Sequence, residues 1–318
     1  MPPSKTIVCY GDLVADLVMQ IPRLPIVPEQ AQLARSLTVE PGGAGNFLIT
    51  AARLGGRCVA LGAIGEDPNG QLIFEILKEE KIDLSYTQRG AGSVNVVVIV
   101  FVDEAGQHVF IAHDGTGAPF VIGPREQTQI QNAGVLFVPG YALAEQRMAG
   151  AVLPVLKIAQ VANVPVMSDL GSVVNDAAVR EMALEVARHS AVSFLTADEA
   201  MQFTGKHSYD VAAHELQKLG SPVVVIKRGA QGCVVFEGDR MMDIAGIPVT
   251  MRDTTAAGDT FAGGFVVEWL KHHDVARSAQ FANVAAAAKV QKIGSGRQCP
   301  TQQEVQALIK LLHQHERQ

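Results

Sequence analysis

Short apolar runs rich in valine and isoleucine alternate along the chain with segments whose apolar residues recur every three or four positions. The apolar runs predict buried strands, and they are TIVCYGD, RCVALGAIG, GVLFVPG, VPVMSD, AVSFLT and SPVVVIKRG. The segments between them predict helices, at 46–54, 70–80, 145–162, 177–188 and 211–219. This alternation predicts an α/β fold of three layers, in which helices cover both faces of a mostly parallel sheet.

Two segments interrupt this alternation, at about 13–41 and 94–114. The first is extended and contains several prolines, and the second predicts a hairpin that turns at 103–106. Neither segment has a helix beside it to cover its apolar residues. We therefore predict that the two form a small β-sheet that caps the strand ends as a lid. With no repeat or linker in the sequence, residues 1–318 are expected to be one domain that carries this lid.

The composition narrows the class of protein. Hydrophobic residues make up 48% and charged residues 18% of the chain, which predicts a large core. A net charge of −6, without clusters of lysine and arginine, argues against nucleic-acid binding. No apolar run reaches the ~18 residues of a membrane span, and the N-terminus lacks a signal-peptide pattern. The four cysteines form no C-x-x-C pair, so we expect reduced, mostly buried thiols in a cytoplasmic protein.

The most informative candidate chemistry lies at 251–265, MRDTTAAGDTFAGGF. The aromatic residues that follow recur every fourth position, which predicts a helix that begins near this stretch. Ala256, Ala257 and Gly258 then lie at the helix start, where free backbone N–H groups and the helix dipole favour an anion. Asp259 lies in the same turn. An anion site beside a carboxylate suits phosphoryl transfer, although an aspartate here serves equally well as a helix cap.

Two further motifs carry polar residues suited to a sugar. In PGGAGNFLITAARLGG, residues 41–56, Gly42 and Gly43 allow a ligand to approach the backbone. Asn46 offers both a donor and an acceptor to a hydroxyl group, but such a loop before a helix can also be a simple turn. Asp12 and Asp16 follow the first strand, where a carboxylate can accept two hydroxyl hydrogen bonds or merely cap a turn.

Together, these motifs resemble the ribokinase-like (PfkB-type) carbohydrate kinases. Residues 251–265 fit the C-terminal signature D-T-x-[AG]-A-G-D-x-F at every fixed position, and residues 41–56 resemble the glycine-rich N-terminal signature. The resemblance implies a ribokinase-like fold and ATP-dependent phosphorylation of a primary hydroxyl of a small sugar. In this family Asp259 would be the catalytic base, and the amides of 256–258 would form the anion hole.

The resemblance also implies which residues bind the sugar and how the lids of two subunits associate. It implies that Asp16, Asn46 and the paired glycines bind the sugar, with Asp12 as a further candidate. In this family the lid often pairs with the lid of another subunit. It therefore implies a homodimer joined through the small sheet.

By the same resemblance, three further motifs would form the binding site for the nucleotide, ATP. In LTADEAMQFTG, residues 195–205, the resemblance implies that Glu199 supports Mg²⁺ and the phosphates through water, with Thr196 in place of the family's asparagine. The same residues also predict an N-capped helix with an acidic first turn. The residues that the resemblance places at ATP are Lys227, Gly229, Gly232 and Asn283.

A monovalent cation is a further implication of the resemblance. The segment KIGSGRQCP, residues 292–300, resembles a loop that binds such an ion through carbonyl groups. The implied K⁺ site contains Asp253, Thr255 and Gly294. Gln298 stands where ribose kinases of the family have serine, which leaves a requirement for potassium open.

The substrate also stays open at this point. Gly140 and Tyr141 stand where ribose kinases carry a glutamate, and 169–171 lacks the arginine of some kinases of ketosugar acids. A nucleoside kinase is the nearest alternative, with Phe47, Tyr141 or Phe110 to stack on a base. An inactive protein that senses a sugar or nucleotide is a third hypothesis. Neither G-x-x-x-x-G-K-[ST] nor G-x-G-x-x-G after a strand occurs in the sequence.

Overall fold

A large β-sheet with helices on both faces dominates the structure, a computed structural model that describes residues 6–171 and 177–315. The strands of the described residues, counted over all sheets, are β1 (Ile7–Tyr10), β2 (Ala15–Gln20), β3 (Ser36–Pro41), β4 (Cys58–Leu61), β5 (Ala63–Ile64), β6 (Gln88–Arg89), β7 (Val97–Val102), β8 (His108–His113), β9 (Val135–Pro139), β10 (Val166–Asp169), β11 (Ser190–Thr196), β12 (Val223–Lys227), β13 (Cys233–Glu237) and β14 (Arg240–Ile244). Its α-helices are α1 (Ala44–Arg53), α2 (Pro68–Glu79), α3 (Pro124–Gln131), α4 (Tyr141–Ala144), α5 (Val152–Val161), α6 (Ala177–His189), α7 (Ala197–Thr204), α8 (Tyr209–Leu219), α9 (Ala257–His272), α10 (Val275–Lys289) and α11 (Gln302–His315).

The main sheet has the strand order β14-β13-β12-β11-β10-β9-β1-β4. Neighbouring strands from β12 to β4 run parallel, whereas β13 and β14 form an antiparallel hairpin at one edge. Successive side chains of each parallel strand point to opposite faces, and helices cover both faces. This explains why these strands are continuous apolar runs in the sequence.

Two hydrophobic cores lie on the two faces of the main sheet. Ile7 and Cys9 of β1 pack with α1, α2, α9 and α10 on one face. Val8 and Tyr10 of the same strand pack with α3, α5, α6, α7 and α8 on the other. These cores confirm the predicted three-layer α/β fold.

A separate sheet of order β3-β2-β7-β8 comes from the two segments that interrupt the alternation. β2 pairs antiparallel with β3 and parallel with β7, and β7 and β8 form the predicted hairpin. His108 of β8 reaches the main body, where its Nδ1 lies 3.3 Å from the hydroxyl of Thr254. The small sheet therefore contacts the loop that precedes α9.

The predicted helix at 145–162 is wrong in its first half. α4 ends at Ala144, a 3₁₀ turn covers Ala149–Ala151, and α5 begins at Val152. The physical reason is a buried polar contact: the Glu145 carboxylate accepts a hydrogen bond from the backbone N–H of Asp12 at 3.1 Å. That contact holds the segment against the end of β1 and interrupts the helix.

Two smaller predictions can also be compared with the structure. The cysteines are free, buried thiols, as expected, at Cys9, Cys58, Cys233 and Cys299. In the described part of the chain, no helix is both long enough and apolar enough to cross a bilayer.

Candidate active site

The candidate catalytic aspartate lies in the first turn of α9. Asp259 is in direct contact with Asn46 of α1, whose side-chain Nδ2 donates to Asp259 Oδ2 at 3.0 Å. The other end of the same amide is also fixed, because Asn46 Oδ1 accepts from the backbone N–H of Gly296 at 2.7 Å. Ala256 precedes the helix with a φ of 61°, a left-handed conformation that is rare outside glycine. Such backbone strain is typical of functional sites.

The environment of Asp259 shifts its proton affinity. Burial, together with the negative charge of Asp169, raises the pKa of the Asp259 carboxyl from its ordinary value to about 7. The hydrogen bond from Asn46 and the charge of Lys227 oppose part of this increase. A carboxylate with a pKa near neutrality is well matched to general-base catalysis at neutral pH.

A cavity of about 470 Å³ lies between the main body and the small sheet, and we call it the acceptor cavity. The predicted residues that line it are Asp16, Gly43, Asn46, Thr255, Ala256 and Asp259. Side chains of the small sheet form one wall, namely Val98, Phe110 and Ala112. The cavity falls within the range of ~300–1,000 Å³ that is usual for small-molecule sites.

Gly42 leaves the space that Asp16 occupies in this cavity. A Cβ atom on Gly42 would lie 1.9 Å from Asp16 Oδ1, so any larger residue would displace the carboxylate. Asp16 is buried, and burial followed by the nearby charges of Asp259 and Glu40 raises its pKa to about 7. The predicted residues Gly42 and Asp16 thus act together, although Gly42 itself does not line the cavity.

A second cavity, of about 550 Å³, lies on the other side of the α9 N-terminus, and we call it the donor cavity. The predicted residues that line it are Thr196, Lys227, Gly229, Gly232, Ala257, Gly258 and Asn283. Apolar residues form much of the remaining wall, including Ile247, Val249, Met251, Ala286 and Val290. The Asn283 amide donates to the carbonyls of Ile244 and Ala245 at 3.3 and 3.2 Å, so it also holds the end of β14 in place.

A smaller cavity of about 270 Å³ joins the two at the first turn of α9. Lys227 and Asp169 line it as a partly buried ion pair, with 2.6 Å between Lys227 Nζ and Asp169 Oδ2. Although burial opposes it, the Asp169 charge raises the pKa of Lys227 above its ordinary value. Lys227 therefore carries its positive charge directly beside the Gly258 backbone, 3.2 Å from where a Cβ on that glycine would lie.

Glu199 lines the joining cavity at the start of α7. The Thr196 N–H donates to Glu199 Oε2 at 2.7 Å, and the Glu199 N–H donates back to Thr196 Oγ1 at 3.2 Å. The predicted capping box is therefore present, and it also fixes the carboxylate in the cavity. The backbone of Gly171 approaches so closely that a Cβ there would lie 2.5 Å from both Glu199 carboxylate oxygens.

Asp253 joins the two segments predicted to hold a monovalent cation. Asp253 Oδ1 accepts from the backbone and hydroxyl of Thr255 at 2.8 and 2.7 Å, and Oδ2 accepts from the Gly294 N–H at 2.7 Å. This fully buried carboxylate thus holds the loop before α9 against the loop that follows α10.

Comparison with known proteins agrees with this arrangement. Residues 4–302 match the family model described as pfkB family carbohydrate kinase. The chain belongs to the pfkB family. It is therefore an ATP-dependent kinase, as the resemblance implied.

Individual relatives agree with membership of the pfkB family. The chain is 26% identical over 310 residues to ribokinase from Haemophilus influenzae, covering 94% of this chain and 97% of the relative. It is 26% identical over 231 residues to aminoimidazole riboside kinase from Salmonella typhimurium, covering 71% and 72%. The structure of Arabidopsis thaliana ribokinase complexed with ribose and ATP superimposes with a TM-score of 0.82 at 25% identity, covering 96% of this chain and 99% of that one.

Asp12 was predicted as a further sugar ligand of this pfkB chain, but it does not line the acceptor cavity. Its carboxylate is buried away from the acceptor cavity and accepts hydrogen bonds from Arg147 Nε and Nη2 at 3.1 and 2.8 Å. The sequence places Asp12 and Asp16 after the same strand, but the chain turns between them. Only Asp16 enters the second sheet and faces the cavity.

Phe47 was one of the residues considered for stacking on a base, but it does not line the acceptor cavity. Its ring is fully buried and stacks on Phe137, with 3.7 Å between the ring centroids. Tyr141 and Phe110, the other two aromatic candidates, do line the acceptor cavity.

Several residues that line these cavities were not assigned from the sequence. The position of Asp169 in the sequence could have indicated a ligand-binding residue, because it ends β10 and polar residues at the carboxyl ends of parallel strands often bind ligands. Glu145 was hidden by the incorrect helix prediction. His108 begins β8 and Asp114 follows its end, and no motif distinguished these two from surface residues.

Proposed function

We propose that this kinase transfers the γ-phosphoryl group of ATP to a primary hydroxyl of a small sugar. The single observation that carries the proposal is that the acceptor and donor cavities meet at Asp259 and the first turn of α9. A hydroxyl in one cavity and a triphosphate in the other would come together at a carboxylate and a row of backbone amides. This is the arrangement that in-line phosphoryl transfer needs.

In the acceptor cavity, the Asp16 carboxylate accepts hydrogen bonds from sugar hydroxyls, Asn46 donates the second hydrogen of its side-chain amide, and the backbone of Gly43 contacts the ligand. Asp259 accepts the proton of the attacking hydroxyl. Its contact with Asn46 orients the carboxylate, and its raised pKa makes it a stronger base than an exposed aspartate.

At the joining cavity, the backbone amides of Ala256 and Gly258 stabilise the negative charge of the transferring phosphoryl group, whereas the predicted Ala257 amide already donates to the Thr254 carbonyl at 3.1 Å. Lys227 provides a fixed positive charge beside the same amides. The apolar wall from Ile247 to Val249 fits the adenine ring.

Asp169 and Glu199 are the residues that would hold Mg²⁺ with the phosphates. Their carboxylates line the joining cavity, and Mg²⁺ commonly uses one or two carboxylates together with substrate phosphates and water. The lack of a side chain at Gly171 leaves the space that the Glu199 carboxylate occupies. When bound, Mg²⁺ neutralises charge on the phosphates.

The small sheet acts in this proposal as the lid of a single kinase domain over 1–318. Val98, Phe110 and Ala112 would cover the bound sugar and exclude water, which would suppress hydrolysis of ATP. The contact of His108 with Thr254 is one point at which the lid is held near the reaction centre.

The test is an assay of ADP release with an Asp259→Asn variant. Loss of the base should lower kcat by about 10²–10⁴-fold while the fold is kept, since asparagine can still accept the hydrogen bond from Asn46. Asp198→Asn is the matched control, because Asp198 is an exposed aspartate in the first turn of another helix, α7. A rate near that of the parent protein in Asp259→Asn would overturn the role of Asp259.

A nucleoside is the second candidate substrate, because Phe110 and Tyr141 line the acceptor cavity and are 52% and 40% exposed. These rings could stack on a base. ADP release with ribose, fructose, adenosine and aminoimidazole riboside would separate the two classes. Ligand binding without turnover of any of them would indicate a sensor and contradict the kinase mechanism.

A further inference from the structure

Apart from the phenol of Tyr141, the titratable side chains that line the acceptor cavity are carboxyl groups. They are Asp16, Asp114, Glu145 and Asp259, and no lysine, arginine or histidine is among the described residues that line the cavity. A phosphate or carboxylate group on the substrate would therefore find no positive partner among these lining residues. In a partly enclosed cavity of low dielectric constant an unpaired anion is costly, and each carboxyl group that is ionised adds repulsion.

Arg147 lies close to this cavity, but its charge is already balanced. Its side chain is 6% exposed, and Nε and Nη2 both donate to Asp12 Oδ2. The backbone N–H of Asp12 in turn donates to Glu145 Oε2 at 3.1 Å. The Asp12–Arg147 ion pair thus forms a rigid support that fixes the Glu145 carboxylate at the cavity wall.

Different neighbouring carboxylates raise the pKa values of Glu145 and Asp259. Burial and then Asp12 raise the pKa of Glu145 to about 8, whereas the carboxylate that raises the pKa of Asp259 is Asp169. Glu145 lines the acceptor cavity but not the joining cavity, whereas Asp259 lines both, so Glu145 belongs to the part of the acceptor wall outside the phosphoryl-transfer site. A protonated carboxyl there can both donate to and accept from a hydroxyl, and the ionised form can accept from an amine.

We propose that Glu145 is a specificity-determining residue that binds a hydroxyl or amino group at the distal end of the substrate, and that the cavity rejects phosphorylated and carboxylated sugars. This inference rests on the proposed kinase function. It limits the substrate class to uncharged or amine-bearing compounds.

The test compares the best uncharged substrate of the panel with ribose 1-phosphate, which also has a free primary hydroxyl. We expect kcat/KM for ribose 1-phosphate to be lower by about 100-fold or more, since like charges at an interface cost several kcal/mol. Comparable turnover of ribose 1-phosphate would overturn the inference while leaving the kinase function intact. No turnover of any compound would instead contradict the kinase function.

Two variants test Glu145 itself. Glu145→Ala should raise KM for the uncharged substrate by about tenfold with little change in kcat, the cost of one buried hydrogen bond. Glu145→Gln should keep the parent KM at neutral pH and abolish any change of KM near pH 8. Gln146→Ala, an exposed neighbour, is the control. An unchanged KM in Glu145→Ala would remove Glu145 from substrate recognition.

A second and independent observation concerns Lys289, at the end of α10. Its side chain is fully buried, and Nζ donates to the backbone carbonyl of Lys292 at 3.2 Å. Burial lowers the pKa of Lys289, and the charge of Asp253 opposes this decrease. A buried ammonium is costly unless it has a structural or functional role.

The position of Lys289 indicates what that role is. Asp253 connects the Gly294 loop to Thr255, which immediately precedes the anion hole. The backbone N–H of Gly296, in the same loop, supports Asn46, the partner of Asp259. Through its bond to the Lys292 carbonyl, Lys289 supports the loop that Gly294 ties to Asp253 and Gly296 ties to Asn46.

This arrangement does not fit an additional potassium ion. Both carboxylate oxygens of Asp253 already accept hydrogen bonds, and the Lys289 ammonium already supplies a positive charge near that carboxylate. A second cation so close to a buried ammonium would be repelled. We infer that Lys289 replaces the monovalent cation and positions the two loops, so that turnover does not require potassium.

The test is a potassium titration against choline at constant ionic strength. The rate and the Tm of the parent enzyme should not respond to K⁺. Lys289→Met should lose about tenfold or more in kcat, because small displacements of catalytic groups are costly, and K⁺ or NH₄⁺ should restore part of the loss and raise its Tm. Lys292→Met is the control, since that ammonium forms a more exposed ion pair with Glu304.

Two results would overturn the role of Lys289. One is severalfold activation of the parent enzyme by K⁺, a measurement that does not depend on whether the variant folds. The other is a parental rate for Lys289→Met in buffer without K⁺ or NH₄⁺.

Discussion

At the scale of single residues, the raised pKa of Asp259 predicts the pH dependence of the reaction. The base must be ionised, so kcat should fall as the pH drops through about 7 rather than near pH 4, where an exposed aspartate titrates. Asp16 has a similar pKa, but it binds the sugar and should affect KM. The measurement is kcat and KM as separate functions of pH. A kcat that stays constant down to about pH 5 would contradict the assignment.

The raised pKa of Asp259 also predicts that the ionised form needed for catalysis makes the folded state less stable. Because the folded state raises the pKa of Asp259, it favours the protonated form, and this contribution to stability is lost as the pH rises through about 7. Asparagine carries no charge at any pH. Asp259→Asn should therefore raise Tm at about pH 8.5, by about 2–4 °C for each 1 kcal/mol, and change it little at about pH 4, near the pKa of an unfolded aspartate. Equal effects at both pH values would contradict this account of the shift.

The sequence predicted Asn46 and Asp259 as functional residues, but not their contact. They are far apart in the chain, and one lies in α1 and the other in α9. The pKa shift of Asp259 depends on its burial beside Asp169, which residue types alone do not reveal. The assignment of Asp12 failed for the same reason, since its partner Arg147 comes from a distant segment.

At the scale of secondary-structure elements, the turn between β3 and α1 is shaped around the Asp16 side chain on β2. Gly42→Ala should displace that carboxylate, because the added Cβ would lie 1.9 Å from Asp16 Oδ1. We expect KM for the sugar to rise by about tenfold or more while KM for ATP stays the same. Gly150→Ala is the control, because a Cβ at that position meets no atom within 4 Å. A parallel rise in both KM values would indicate a general structural defect instead.

The parallel strands were predictable because they are buried on both faces and so appear as continuous apolar runs. The hairpin of β13 and β14 was not predicted, since β14 lies at the edge of the sheet and its sequence, RMMDI, lacks such a run. The segment after α4 was predicted as helix from its periodicity. There a buried carboxylate, Glu145, outweighed the local pattern.

At the scale of the whole molecule, the small sheet has two different faces. One face carries Val98, Phe110 and Ala112 toward the acceptor cavity. The cross-strand pairs of the opposite face are also apolar, and they are Met19 with Leu37 and Phe101, Ile99 with Ile111, and Phe101 with Val109. A sheet with two apolar faces needs a cover on each, and the second face retains exposed residues.

We propose that a second copy of the chain covers this outer face and forms a homodimer. Leu37, Val109 and Ile111 are 57%, 42% and 53% exposed, more than a buried core allows and typical of an interface. Ile111→Lys would place a charge in the centre of that interface and should convert the dimer to a monomer in sedimentation or light-scattering experiments. Val161→Lys is the control, because Val161 is an exposed apolar residue at the end of α5, outside the small sheet. A parent protein that is monomeric at micromolar concentration would exclude this interface. If instead Ile111→Lys is monomeric and its KM for the sugar rises, the dimer also holds the lid over the acceptor cavity, since β8 carries Ile111 on one face and Phe110 on the other.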